Sequence, residues 1–224
     1  LTQTGARLIM VDEEFLPAIA AVRDKLPELE RIIVIGSDGG SDGEDNFEDF
    51  IAASSDVPPH IEIMDTDPLG MTFTGGTTGL PKGALVSHRA MVARGMCFTS
   101  EFEVPIGDNF CAWAPFYHMA STDQALGTLL RGGTVHVVDG YEPDRLIDVL
   151  EREKMRFFIL MPGMVGPFAE ILKARNVQIK GVGICGAMAD LVPREDIAAA
   201  TLALDAPYNN SFGATETGLP PASS

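Results

Sequence analysis

Apolar residues in this chain fall in short runs separated by amphipathic or turn-rich stretches. Residues 31–35, 70–74, 84–86, 110–113, 134–138, 156–160 and 181–185 are compact, largely apolar or β-branched runs, and each predicts a strand; a last strand is expected near 208–212. Between them, helical spacing predicts helices over 14–26 (despite Pro17), 45–53, 88–100, 122–130, 143–154, 162–175 and 193–202. Ser87 is placed to cap the helix that starts at His88, and Pro143 occupies a favoured first-turn position. Strands alternating with helices predict an α/β fold, with parallel sheets covered by helices on both faces.

Two stretches break the rhythm. Residues 36–43 form a Gly/Ser/Asp-rich loop, and 54–67 reads as a turn-rich, mobile connector. A Pro- and Gly-containing break at 103–109 suggests a subdomain boundary, with one α/β unit over 1–105 and a second over 106–224. Neither an internal repeat nor a low-complexity tract is evident.

Composition changes this picture little. The chain has 224 residues, enough for one large or two small domains, and 46% of them are hydrophobic, enough for a sizeable core. No apolar run reaches membrane-spanning length and no signal peptide is evident, which points to a cytoplasmic protein. The net charge of −16 argues against a nucleic-acid partner, because phosphate binding needs a basic face. No Lys or Arg lies between Arg31 and Lys82. The acidic residues that crowd that interval read more simply as a solvated face than as a docking segment. Cys97, Cys111 and Cys185 are odd in number, widely spaced and in apolar contexts, so they read as reduced thiols rather than a disulfide frame or zinc site.

The candidate chemistry starts at Thr74-Gly75-Gly76-Thr77-Thr78-Gly79-Leu80-Pro81-Lys82-Gly83. Glycines let backbone N–H groups approach an anion, threonine hydroxyls donate to phosphate oxygens, and Lys82 adds a point charge. The G-x-x-x-x-G-K-[ST] loop does not fit, since Pro81 separates Gly79 from Lys82 and Gly83 stands where a hydroxyl should meet Mg²⁺. A second formal match, Gly39-Gly40-Ser41-Asp42-Gly43 to G-x-S-x-G, fails on context: Ser41 sits several residues past its strand in an acidic loop.

The segment 74–83 resembles the phosphate loop T-S-G-T-T-G-x-P-K-G of the adenylate-forming superfamily, which includes acyl-CoA synthetases, luciferases and peptide-synthetase adenylation domains. Gly75 stands where that pattern has Ser, so one hydroxyl donor is missing. Three later segments follow in the family's order. Ala114-Pro115-Phe116-Tyr117-His118 is similar to a P-x-F-H segment beside the acyl carboxylate. Gly183-Ile184-Cys185-Gly186-Ala187-Met188 is similar in part to G-G-A-P, with Cys185 and Met188 as departures. Phe212-Gly213-Ala214-Thr215-Glu216 resembles Y-G-x-T-E.

The resemblance implies a fold made of parts of two adjacent Rossmann-like subdomains of an N-terminal adenylating domain. It implies ATP, Mg²⁺ and coenzyme A as cofactors and a small carboxylic acid as substrate. Thr74, Gly75, Gly76, Thr77, Thr78, Gly79 and Lys82 would hold the pyrophosphate. Gly186, Ala187, Phe212 and Gly213 would receive the adenine, with Phe212 stacking on it. Thr215 would bind the α-phosphate and Glu216 the Mg²⁺. Phe116, His118 and Met188 would line the acyl pocket, with Met161 and Met164 as further walls. Tyr117-His118, where peptide-synthetase domains usually carry an Asp, favours a simple acid over an α-amino acid, with a slight lean to an aromatic or aliphatic one. The expected activity is that of an acid–CoA ligase. The alternatives are transfer to a carrier protein or amine, or a non-catalytic nucleotide-binding module. Family members extend beyond both ends of this chain, to a ribose-binding aspartate, a hinge and a small domain with a late lysine. The expectation is therefore an internal piece that lacks the C-terminal lid and does not adenylate efficiently alone.

Overall fold

A computed structural model of the chain describes residues 1–36, 44–75, 79–187 and 191–219. Its contacts separate two units, Leu1–Glu62 and Ile63–Ser224.

In the first unit, β1 (Leu8–Asp12) and β2 (Arg31–Ile35) run parallel with Leu8 opposite Arg31, and β3 (Asp45–Asn46) adds a short parallel edge. The Leu-Ile-Met-Val run of β1 carried the apolar signal of a strand but escaped the sequence reading. The long helix expected over 14–26 does not form. Glu13–Phe15 and Arg23–Lys25 are single 3₁₀ turns, and only α1 (Leu16–Ala20) is α-helical. The cause is Pro17. A helix begun at Glu14 would need the N–H of residue 17 for its first hydrogen bond, whereas a helix begun at Leu16 leaves that proline in the first turn, where no donor is needed. α2 (Phe47–Ala52) is capped by Asn46, whose Oδ1 accepts from the backbone N–H of Glu48 and Asp49. Leu26, Leu29, Ile32 and Val34 form this unit's small core. The Gly39–Gly43 match lies outside the described residues.

The second unit opens with a departure from the all-parallel expectation. β4 (Pro68–Thr74) and β5 (Lys82–Ser87) form an antiparallel ribbon, in which Thr74 faces Lys82. α3 (His88–Phe102) follows at once; Ser87 Oγ accepts from Ala90 N–H at 3.2 Å, the cap expected from the sequence. Then come β6 (Asn109–Ala112), α4 (Met119–Leu130), β7 (Thr134–Val137), α5 (Pro143–Arg152), β8 (Met155–Ile159), α6 (Val165–Arg175), β9 (Val182–Ala187), α7 (Arg194–Leu204) and β10 (Tyr208–Asn210). β6 pairs parallel with β7, and β10-β9-β8 form a parallel three-stranded sheet.

One continuous core holds this unit together. Phe98 and Phe102 of α3 stack at 4.7 Å and both reach Phe157 of β8 at 5.1 Å. Leu146 and Leu150 of α5, Phe158 of β8 and Phe168 of α6 are fully enclosed. Each such side chain contributes roughly 1.5–3 kcal/mol on leaving water. The 105/106 boundary expected from the sequence falls within this unit, where α3 and β6 share one core. Two bonds tie the parallel layers: Trp113 Nε1 donates to the Ile159 carbonyl at 2.9 Å in the interior, and Arg156 N–H donates to Asp108 Oδ2 at 2.9 Å in a half-buried setting. Because β6, β8, β9 and β10 are all members of parallel pairs, the segments that leave their carboxyl ends are the natural place for a ligand.

Candidate active site

The glycine–threonine loop hangs from the antiparallel ribbon rather than from a parallel sheet. Thr74 and Lys82 pair across its mouth, and Thr74 Oγ1 donates to the Lys82 carbonyl at 3.4 Å. Gly79 has φ 98°, a left-handed conformation that side chains resist. Gly75 is different: a Cβ built there meets nothing within 4 Å, so space does not demand glycine at that position. Gly76, Thr77 and Thr78 lie outside the described residues.

The segment 114–122 leaves β6 and is pinned by two hydroxyls. Ser121 Oγ donates to the Ala114 carbonyl at 2.6 Å, and Thr122 Oγ1 donates to the Phe116 carbonyl. His118 caps α4. Its Nδ1 accepts from Ala120 N–H at 3.1 Å, so the helix begins at Met119, three residues before the predicted start. Histidine is not among the favoured cap residues, which is why sequence reasoning missed it. An accepting Nδ1 places the proton of the neutral ring on Nε2, the nitrogen left to donate to a ligand. Phe116 and Tyr117 are exposed.

Near the end of β9, Gly186 sits opposite Asn209 of β10, and a Cβ on Gly186 would collide with the Asn209 carbonyl. Glycine is required here for strand pairing. Ala187 ends the strand, while its side chain and Met188 are outside the described residues. After β10, Phe212 is 69% exposed, its face open for stacking. Residues 214–218 close into a turn through an Ala214–Gly218 bridge, with Gly218 at φ 68°. Thr215 is half-buried and Glu216 exposed.

An ion pair absent from the sequence reading holds that turn. Arg94 of α3 and Asp123 of α4 meet at 3.2 Å with side chains only 9% and 8% exposed, and Arg94 Nη2 also donates to the Thr215 carbonyl at 2.9 Å. Burial raises the Asp123 carboxyl above its usual range, against the opposing pull of Arg94.

Three of the separate segments converge. A cavity of about 140 Å³ is lined by His118, Gly186, Ser211 and Gly213, with Ile159 and Met161 among its apolar walls. Phe116 and Phe212 do not line it, and Met164 packs against the core instead. None of the three thiols lines the cavity: burial pushes Cys111 and Cys185 up to about 12, so they stay protonated, and Cys97 is half-buried and free. Among the described residues no group of three or more His, Cys, Asp or Glu side chains could hold a metal, and no helix is long and apolar enough to cross a membrane.

The fold is that of an adenylate-forming enzyme's N-terminal domain. Residues 1–222 match the AMP-binding enzyme family, and the chain belongs to it. An indoleacetate–CoA ligase from Aromatoleum aromaticum is 24% identical over 94% of this chain and 41% of its own length. A fatty acid–[acyl-carrier-protein] ligase, ScoC, from Streptomyces coeruleorubidus is 25% identical over 99% of this chain and 43% of its own. The N-terminal domain of FACL13 from Mycobacterium tuberculosis superposes with a TM-score of 0.83 at 18% identity, over 97% of this chain and 53% of that one. The chain thus spans about two fifths of the length of these curated relatives.

Proposed function

We propose that this site activates a carboxylic acid with ATP and hands the acyl group to coenzyme A. The observation that carries the reading is the convergence of His118, Gly186, Ser211 and Gly213, which come from three separate segments, on one cavity beyond parallel strands. The substrate carboxylate attacks the α-phosphorus of ATP, the bond to the bridging oxygen breaks, and pyrophosphate leaves. The thiol of coenzyme A then displaces AMP from the acyl-adenylate. Such phosphoryl chemistry runs mainly on positioning and charge stabilisation.

The residues have matching roles. Nε2–H of His118 orients the acid's carboxylate at the cavity mouth. Thr74, Gly75, Gly79 and Lys82, with Gly76, Thr77 and Thr78, grip the β- and γ-phosphates. Gly186 and Gly213 leave room for a planar base, with Ala187 and Met188 beside them and Phe212 stacking on its face. Thr215 donates to the α-phosphate from a turn that Arg94 holds. Glu216 is exposed and supplies one carboxylate. That donor set fits Mg²⁺, which needs only one or two protein carboxylates when phosphate oxygens complete its shell; the ion would neutralise charge on the departing pyrophosphate.

Transfer to a carrier protein is the second reading, and the ScoC-like relative over 99% of the chain favours it. The test uses the full-length protein that contains this chain. Acid-dependent exchange of pyrophosphate into ATP is expected, lost in Lys82→Ala or Glu216→Ala. Thioester formation with coenzyme A but not with acyl carrier protein selects the first reading; the converse selects the second. Absence of exchange with any carboxylic acid rejects both.

A further inference from the structure

The cavity holds one group that the proposed reaction does not use. Gln124 lies on α4, lines the cavity and is only 6% exposed. Its neighbours are paired: Ser121 donates to Ala114, and Asp123 meets Arg94. Neither the oxygen nor the nitrogen of the Gln124 amide has a hydrogen-bond partner among the described residues. The walls around it, Met119, Phe157, Ile159 and Met161, are apolar. The amide faces the cavity and can pair with water there; a ligand that displaces that water without replacing its hydrogen bonds leaves a buried polar group unpaired, which is costly.

Resting on the adenylation reading above, we infer that Gln124 is the specificity-determining residue of this cavity. It selects carboxylic acids that carry a hydroxyl, oxo or amide group remote from the carboxylate. The helix sets the spacing: Gln124 is six residues beyond His118, roughly 9 Å along the axis at 1.5 Å per residue. With His118 at the carboxylate, the Gln124 amide meets the far part of the acyl group. The amide both donates and accepts, so it serves a hydroxyl and an oxo group alike. An acid without such a group leaves the amide unpaired in the filled cavity, and sites built to bond a substrate hydroxyl discriminate strongly against analogues that lack it.

The test compares matched acids in the full-length protein: phenylacetate against 4-hydroxyphenylacetate, and hexanoate against 6-hydroxyhexanoate. The readout is kcat/KM for ATP–pyrophosphate exchange. In at least one pair the wild type should favour the hydroxylated acid at least about tenfold. Gln124→Leu and Gln124→Met, apolar and close in volume, should bring that ratio to about one while exchange with the plain acid holds or improves. Equal use of both members of each pair by the wild type, or a ratio that survives both substitutions, overturns the role of Gln124 and leaves the adenylation reading standing. No exchange with any of the four acids overturns this inference; the adenylation reading falls only if no carboxylic acid supports exchange.

Discussion

The cavity proposed to take the acyl group and the glycine–threonine loop are built in opposite ways within one unit of the chain. The cavity hangs from strands whose side chains are enclosed: in β8, Met155 and Phe158 are fully buried. The loop hangs from a two-stranded ribbon on which Met71, Phe73 and Leu85 are all exposed. Parallel strands surrounded by core give the cavity a backbone whose neighbours leave it no freedom, as the Gly186–Asn209 contact illustrates. The ribbon gives the loop a closed mouth at Thr74 and Lys82 and leaves Gly75 open space. The difference suits the ligands proposed for each. An acyl group is held by desolvated surface of definite shape, whereas a polyphosphate is held by donors that must stay free for its oxygens.

This comparison can be broken at several points. The largest effects belong on the cavity side. Asp123→Ala would leave Arg94 buried without its partner and is expected to cost about 3–5 kcal/mol in urea denaturation. Phe158→Ala, which removes a ring packed 5.6 Å from Phe168, should cost a similar ~3–5 kcal/mol by the same measurement. If Leu85→Ala on the ribbon cost as much, the contrast between the two regions would collapse; it is expected to stay within about 0.5 kcal/mol.

The pH dependence comes next. Burial raises the Asp123 carboxyl in the folded state, so between its unfolded value of about 4 and the raised folded value the native protein keeps a proton that the unfolded chain has lost. The contribution of this group is therefore most favourable below the unfolded pKa and declines as pH rises through the folded one. Denaturant titrations across that window should show the decline in wild type and not in Asp123→Asn.

The smallest expected effect on stability is at Gly75→Ser. The new Cβ meets no atom within 4 Å, so melting temperature should barely move, while the added hydroxyl should lower the KM for ATP several-fold in the full-length protein. A fall in ATP affinity would show that the loop needs glycine there after all.

Much of the architecture was legible because its cues are local. The apolar run at 31–35 became β2 with the same bounds, and Ser87 became the cap of α3. Where local cues misled, a specific competing effect explains the miss. Pro17 delayed the start of a helix expected from Glu14, and His118 capped a helix although its residue type seldom does. The antiparallel pairing of β4 with β5 was hidden because the seven-residue connection between them reads equally well as a loop after a parallel strand.

By itself, the sequence determined the alternation of strands and helices, the four segments that resemble an adenylating site, and the family. Those features depend on residue type, periodicity and order along the chain. Only the tertiary structure decided which segments share a cavity, that Gly186 is required by the Asn209 backbone, and that Gln124 faces the cavity unpaired. It alone joined Arg94 to Asp123, 29 residues away, and to Thr215, 121 residues away. Burial and pairing at such separations are properties of packing, and packing is set by the whole core rather than by any window of the chain.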